Sequence, residues 1–181
     1  MKDIVEQLAR YKSVHLNKTN IQTHFVGVPL IILGVTCLMN TVTFSMENPY
    51  FSLDGSAAMV VSGLAACYYL FLHRLLALAM MCYLVVNLLI ADFFASTEHY
   101  VFMGVTLFVL GWIIQFVGHH YEKAKPAFVD DLSQLAIGPL FLMAETYFAL
   151  GFEKALEEKI SPIALQKRRK LTANLKEQMI K

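Results

Sequence analysis

Apolar and polar positions follow two rhythms along this chain. Residues 1–14 place Ile4, Val5, Leu8, Tyr11 and Val14 at i, i+1, i+4, i+7 and i+10, with Lys2, Arg10 and Lys12 between them. That spacing predicts a short amphipathic helix whose apolar face suits either a membrane surface or a helical bundle. From Phe25 the rhythm gives way to four solid apolar blocks, at about Phe25–Phe44, Ser56–Leu72, Leu75–Ala95 and Tyr100–Gly118. Each is roughly 17–21 residues, near the ~20 needed to cross ~30 Å of hydrocarbon. Pro29 falls in the first turns of the first block, where a missing N–H costs least. A turn-rich loop, Glu47-Asn48-Pro49-Tyr50-Phe51-Ser52-Leu53-Asp54-Gly55, separates the first two blocks, and His73-Arg74 links the next two as a tight helical hairpin.

Beyond Tyr121, a helical segment is predicted from about Asp130 to Phe152, broken at Gly138-Pro139. Its apolar centre, Leu135 to Leu150, is interrupted by Glu145, so it is expected to lie along the interface or dip in rather than cross. From Glu153 the chain is charged, with Lys167-Arg168-Arg169-Lys170, Lys176 and Lys181, and reads as a solvated helix touching anionic headgroups. The fold class is therefore all-α: a polytopic membrane bundle of four transmembrane helices, an N-terminal amphipathic helix and a C-terminal interfacial or re-entrant helix. Residues 1–152 form the membrane-embedded helical domain that carries any chemistry, and 153–181 form a charged cytoplasmic helix.

Composition supports the membrane reading. The 181 residues are 57% hydrophobic and 16% charged, against about 25% charged in soluble domains, and the mean hydropathy is +0.53. A formal net charge of +1 with no basic stripe excludes a nucleic-acid binder. Cys37, Cys67 and Cys82 fall inside apolar runs, which excludes a disulfide framework or a thiolate metal site. Met1 to Asn20 lacks the apolar core of a cleavable signal peptide. Lys2, Arg10, Lys12, Lys18, Arg74, Lys123 and Lys125 all fall on one side of the four blocks, whereas the other side carries only Glu47, Asp54 and Glu98. That bias predicts cytoplasmic termini, in the endoplasmic reticulum of a eukaryote or the inner membrane of a bacterium.

Two polar clusters stand beside the apolar blocks. His15-Leu16-Asn17-Lys18-Thr19-Asn20-Ile21-Gln22-Thr23-His24 runs into the first block, and Gln115, His119, His120 and Glu122 close the fourth. Such density is costly beside hydrocarbon unless a ligand, a metal or a network satisfies it. On a helix, Gln115, His119 and Glu122 at i, i+4 and i+7 share a face, while His120 points about 100° away. His15 and His24, nine residues apart, would sit about 180° apart on one helix; a break between them is required if they are to share a ligand. Asn17, Thr19 and Asn20 are N-cap candidates for the helix that follows. Imidazole with carboxylate suits iron, zinc, copper or nickel, and two His with one carboxylate is typical of non-haem Fe(II) oxygenases. Glu145 needs a partner in its apolar surroundings. His73 and His99 read as structural, and Asp92 as a cap. No phosphate loop or nucleophile elbow is present.

Three classes stay open on the residues alone. One is a metal-dependent oxygenase. Another is a zinc-dependent lipid hydrolase or amidase, in which three His hold Zn²⁺ and Glu122 or Glu145 activates water. The last is a non-enzymatic helical membrane protein whose polar clusters only tie loops together. A di-iron hydroxylase fits the histidine supply less well.

The stretch His15 to Asn20 with His24 and Gly27-Val28-Pro29-Leu30 resembles the opening motif of the fungal and bacterial 2-hydroxy fatty acid dioxygenases, a membrane family long labelled a domain of unknown function. Gly111-Trp112, Gln115-Phe116-Val117-Gly118-His119, Glu122 and Lys125-Pro126-Ala127-Phe128 resemble its second motif, and Asp131-Leu132 with Gly138-Pro139 a third. The likeness spans roughly residues 8–152. It implies an Fe²⁺-dependent enzyme that takes a long-chain 2-hydroxy fatty acid and O₂ and yields the acid one carbon shorter. It carries catalysis and metal ligation onto His15, His24 and His119. Glu145 stands where many bacterial relatives carry His, so either Glu145 or Glu122 is the carboxylate at the metal, Glu122 being placed among the catalytic groups. Asn17, Asn20 and Gln115 would orient the imidazoles, Lys18 and Lys125 would attract the substrate carboxylate, and the acyl tail would lie among the spans.

Overall fold

The structure, a computed structural model, describes residues 3–48 and 51–180; Pro49 and Tyr50 of the predicted loop, with Lys2 and Lys181, lie outside the described residues. In chain order the elements are α1 (Ile4–Ser13), α2 (Lys18–Asn40), β1 (Thr43–Asn48), β2 (Phe51–Ser56), α3 (Ala57–Leu72), α4 (Arg74–Phe94), α5 (Tyr100–Glu122), α6 (Ala127–Asp130), α7 (Gln134–Ala149) and α8 (Lys154–Ile180). Among the described residues the fold is all-α apart from one hairpin. It divides into two compact units, one of Met1–His24 with Val117–Lys181 and one of Phe25–Phe116.

In the Phe25–Phe116 unit the apolar blocks become helices. Three helices, α2, α4 and α5, are 21–23 residues long and apolar enough to cross a membrane. The second block, α3, is a shorter apolar helix of 16 residues, about 24 Å at 1.5 Å per residue. Its limits are set by caps: Ser56 Oγ accepts from Met59 N–H, and His73, in extended backbone, ends α3 and caps α4 by accepting from Leu76 N–H. Leu64, Phe71, Leu89, Phe93 and Phe102 each leave more than 60% of their surface uncovered. Apolar side chains so exposed on helices of this length belong in lipid. Within this unit α2 and α5 meet backbone to backbone: a Cβ on Gly27 would come 2.9 Å from the Gly111 carbonyl oxygen, the close approach that small residues allow between membrane helices.

Three boundaries differ from the sequence reading. The expected loop at Glu47–Gly55 is an antiparallel hairpin, with Thr43 paired to Ser56 and Met46 to Leu53. Alternation at Thr43-Phe44-Ser45-Met46-Glu47 is strand-like, but its first residues merge with the apolar block before it. Phe44 lies over Gly55, where any Cβ would collide with the ring, and Ser45 donates to Asp54 at 2.7 Å. The helix that carries the first apolar block starts at Lys18, just after the cap candidate Asn17, so Pro29 lies inside it rather than in its first turns and withholds one N–H from the Phe25 carbonyl. Helix α7 is not broken at Gly138-Pro139. Pro139 sits in its second turn and forfeits a single bond, and Gly138 is needed because a Cβ there would meet Tyr11 Oη at 2.8 Å.

In the other unit, α1 packs along α7 and α8, so its apolar face is turned to protein rather than to a membrane surface. Leu8, Ile137, Leu140, Phe141 and Ile160 are at most 1% exposed, and each such side chain stabilises the fold by about 1.5–3 kcal/mol. Helix α8 is more than a solvated charge run: Leu156, Ile160 and Ala164, at i, i+4 and i+8, are buried. Cross-links trim this core. Gln134 donates to Gln7 at 2.7 Å, and ion pairs join Arg10 to Asp131, Lys12 to Glu145 and Lys167 to Glu6.

Candidate metal centre

Helix α1 ends at Ser13, and the chain turns at His15 before Asn17 opens α2. The Asn17 side-chain oxygen accepts from Thr19 N–H at 2.9 Å and from Asn20 N–H at 3.4 Å, a cap of the kind such residues favour. This is the break that His15 and His24 require. The third histidine arrives on α5. Gly118 packs so closely on α2 that a Cβ would overlap Thr23 Oγ1 and lie 2.6 Å from Asn20 Oδ1. Only glycine lets α5 come this near, and His119 is the next residue.

Three imidazoles result at the corners of a nearly equilateral triangle. Ring centroids are 4.4 Å apart for His15–His24, 4.9 Å for His15–His119 and 5.0 Å for His24–His119, and the planes cross at 70–84°. One nitrogen from each ring lies within 4.8 Å of the others. Nitrogens bound at ~2.1 Å to one tetrahedral ion stand about 3.4 Å apart, so closure around a metal needs only a small adjustment. His15 and His24 are 1% exposed and His119 is 9% exposed.

Hydrogen bonding assigns the ring nitrogens. His15 Nδ1 lies 2.7 Å from the Tyr11 carbonyl and His24 Nδ1 lies 2.8 Å from the Asn20 carbonyl. Carbonyls only accept, so both Nδ1 atoms carry the proton and both Nε2 atoms of the neutral rings present lone pairs. Those two Nε2 atoms face each other at 3.0 Å. Two acceptors at that distance repel unless a cation sits between or beside them. His119 Nδ1 is likewise buried with no hydrogen-bond partner among the described residues. Burial first, then the neighbouring His24, hold the His15 imidazole well below its ordinary range, and the neutral ring is the form that binds metal. The residues present therefore fit a metal ion. Tyr11 stacks on His15 at 4.1 Å with planes 1° apart, fixing one face of the ring.

The remaining candidates are distributed as follows. Glu122 is buried, but its carboxylate is engaged by protein: Oε2 accepts from Asn17 N–H at 2.7 Å and Asn20 Nδ2 at 3.2 Å, and Arg168 pairs with Oε1 at 3.2 Å. Glu145 lies apart from the imidazole cluster, paired to Lys12 at 2.6 Å. Asn17 and Asn20 adjoin the triad, and Asn20 Oδ1 is buried without a partner among the described residues. Gln115 belongs to the other unit, where its side chain is buried beside Gly27. Lys18, Lys125, His99, His120 and Asp92 are exposed. Sequence reasoning missed Arg168, taken as one charge in a basic run, and the stacking role of Tyr11. A buried Glu122 demands a cation, which was a usable signal, but Arg168 is 46 residues distant and nothing local selects it.

Fold and site together define a helical membrane protein with a buried three-histidine centre. The family described as "2-hydroxy-palmitic acid dioxygenase Mpo1-like" matches residues 1–150, and this chain belongs to it. Among curated proteins it is similar to the 2-hydroxy-palmitic acid dioxygenase MPO1 of Saccharomyces cerevisiae, with 35% identity over 158 residues, covering 86% of each chain. No solved structure matches.

Proposed function

We propose that this protein is an Fe²⁺-dependent dioxygenase that converts long-chain 2-hydroxy fatty acids to the acid one carbon shorter. The observation that carries the reading is the pair of imidazole lone pairs facing each other at 3.0 Å, with His119 beside them. Family membership and the yeast relative's activity support the substrate class. With O₂ as sole oxidant the balance closes: the 2-hydroxy acid loses four electrons, the C1–C2 bond breaks, and the products are the shortened acid, CO₂ and water. A ferrous ion bound here would supply the Lewis acidity and one-electron chemistry that O₂ needs.

The chain's own residues do the rest. His15, His24 and His119 would hold the ion. The carbonyls of Tyr11 and Asn20 keep two rings in the ligating tautomer. Glu122 acts as a strut between α5 and the Asn17 turn. Exposed Lys18 and Lys125 draw the substrate carboxylate toward the site, and the acyl tail lies among the apolar spans. Both termini and this centre face the cytoplasm, by the charge bias of the loops.

The test is oxygen uptake by detergent-purified protein reconstituted with Fe²⁺ or Zn²⁺ and given 2-hydroxyhexadecanoic acid. The expected result is one O₂ consumed per pentadecanoic acid formed with Fe²⁺ and none with Zn²⁺. Lipid hydrolysis by the Zn²⁺ form, with no O₂ uptake by either, contradicts it.

A further inference from the structure

We propose that Arg168, on the helix that follows the family-matched region, is a positioning residue for the metal centre. The inference rests on the three-histidine site binding a metal, as read above. Helix α8 begins at Lys154, beyond the 1–150 match. Arg168 Nη2 donates to the Glu122 carbonyl at 2.9 Å and pairs with Glu122 Oε1 at 3.2 Å, while Nη1 reaches the Ser13 carbonyl at 3.5 Å. Ser13 and Glu122 are the last residues of α1 and α5. Terminal carbonyls there lack helical partners and carry the negative end of the helix dipole, so a guanidinium suits both at once.

Each group Arg168 holds is tied to a ligand. Ser13 lies two residues before His15, and Glu122 three residues after His119. The Glu122 carboxylate, held by Arg168 on one oxygen, uses the other to fix Asn17 N–H and the Asn20 side chain. Asn20 in turn accepts from His24 through its carbonyl. One planar cation thus closes a frame around all three imidazoles. Lysine cannot replace it fully, because a single ammonium does not match three acceptors in a fork. With its side chain 1% exposed, the Glu122 carboxylate would otherwise be a buried charge without its counter-ion, and the Asn17 turn would loosen with it.

The test is Co²⁺ titration of the full-length, detergent-solubilised protein, following visible absorption, alongside Arg168→Ala, Arg168→Lys and Lys167→Ala. Lys167→Ala breaks the neighbouring α8 ion pair to Glu6 without touching the frame. Expected are wild-type affinity for Lys167→Ala and about 10–100-fold weaker binding with an altered spectrum for Arg168→Ala, the scale of losses behind metal ligands. Arg168→Lys, which keeps the charge should the alanine variant not fold, should fall between. Wild-type affinity and spectrum in either Arg168 variant overturn the inference alone. A wild-type protein that binds no Co²⁺ overturns the metal reading and this inference with it. Absent oxygen uptake by a protein that does bind Co²⁺ overturns only the dioxygenase reading, and the Arg168 result then stands by itself.

Discussion

Two nitrogen lone pairs 3.0 Å apart in a buried site repel each other, and backbone carbonyls hold the rings in that arrangement. Tyr11 and Asn20 carbonyls take the only protons those rings have, so hydrogen bonding cannot relieve the contact. At this scale Gly118 is the most exacting position. Gly118→Ala should overpack the α2–α5 contact at a cost of about 1–3 kcal/mol and displace His119, lowering metal affinity; Gly63→Ala, whose Cβ meets nothing within 4 Å, should leave it unchanged. Isothermal titration with Co²⁺ reads both. The three histidines were legible because polar residues crowd the ends of apolar blocks, where they need a reason to be. The choice between Glu122 and Glu145 was not, since each carboxylate's partner lies far off in sequence: Lys12 is 133 residues from Glu145.

Elements were legible where a single period ran unbroken and illegible where one period abutted another. The apolar blocks form α2 to α5, yet the predicted first span takes in Thr43 and Phe44, which belong to the first strand of a hairpin. The run from Leu156 to Ala164 was hidden by charge, although an i, i+4, i+8 stripe was present to seat α8 on α1. Gly138-Pro139 predicts a break because propensity favours one, and packing of Gly138 and Phe141 against Tyr11 of α1 overrides it. The Lys12–Glu145 pair fastens α1 to α7 with both side chains less than a fifth exposed. Lys12→Met should therefore lower thermal stability in detergent by about 1–3 kcal/mol, and Lys12→Met with Glu145→Met should recover most of it. Neither single change, Lys12→Met or Glu145→Gln, should release metal, because Glu145 stands outside the imidazole cluster; metal analysis of the two variants checks this.

On the scale of the whole molecule, α2, α4 and α5 are long and apolar enough to span a bilayer, and α1 packs along α7 and α8. Single cysteines placed at Ser45 and at Lys170, in a background with Cys37, Cys67 and Cys82 replaced, should react with a membrane-impermeant thiol reagent from opposite sides of sealed vesicles. Labelling of both from one side contradicts the orientation. The central claim, that residues separated by a hundred positions gather around one ion, has a direct measure in metal content per chain of the purified protein. One first-row metal ion per wild-type chain, lost from His15→Ala, His24→Ala and His119→Ala alike while each variant stays helical, is the predicted result. Metal retained at full occupancy by any one of the three folded variants would contradict it.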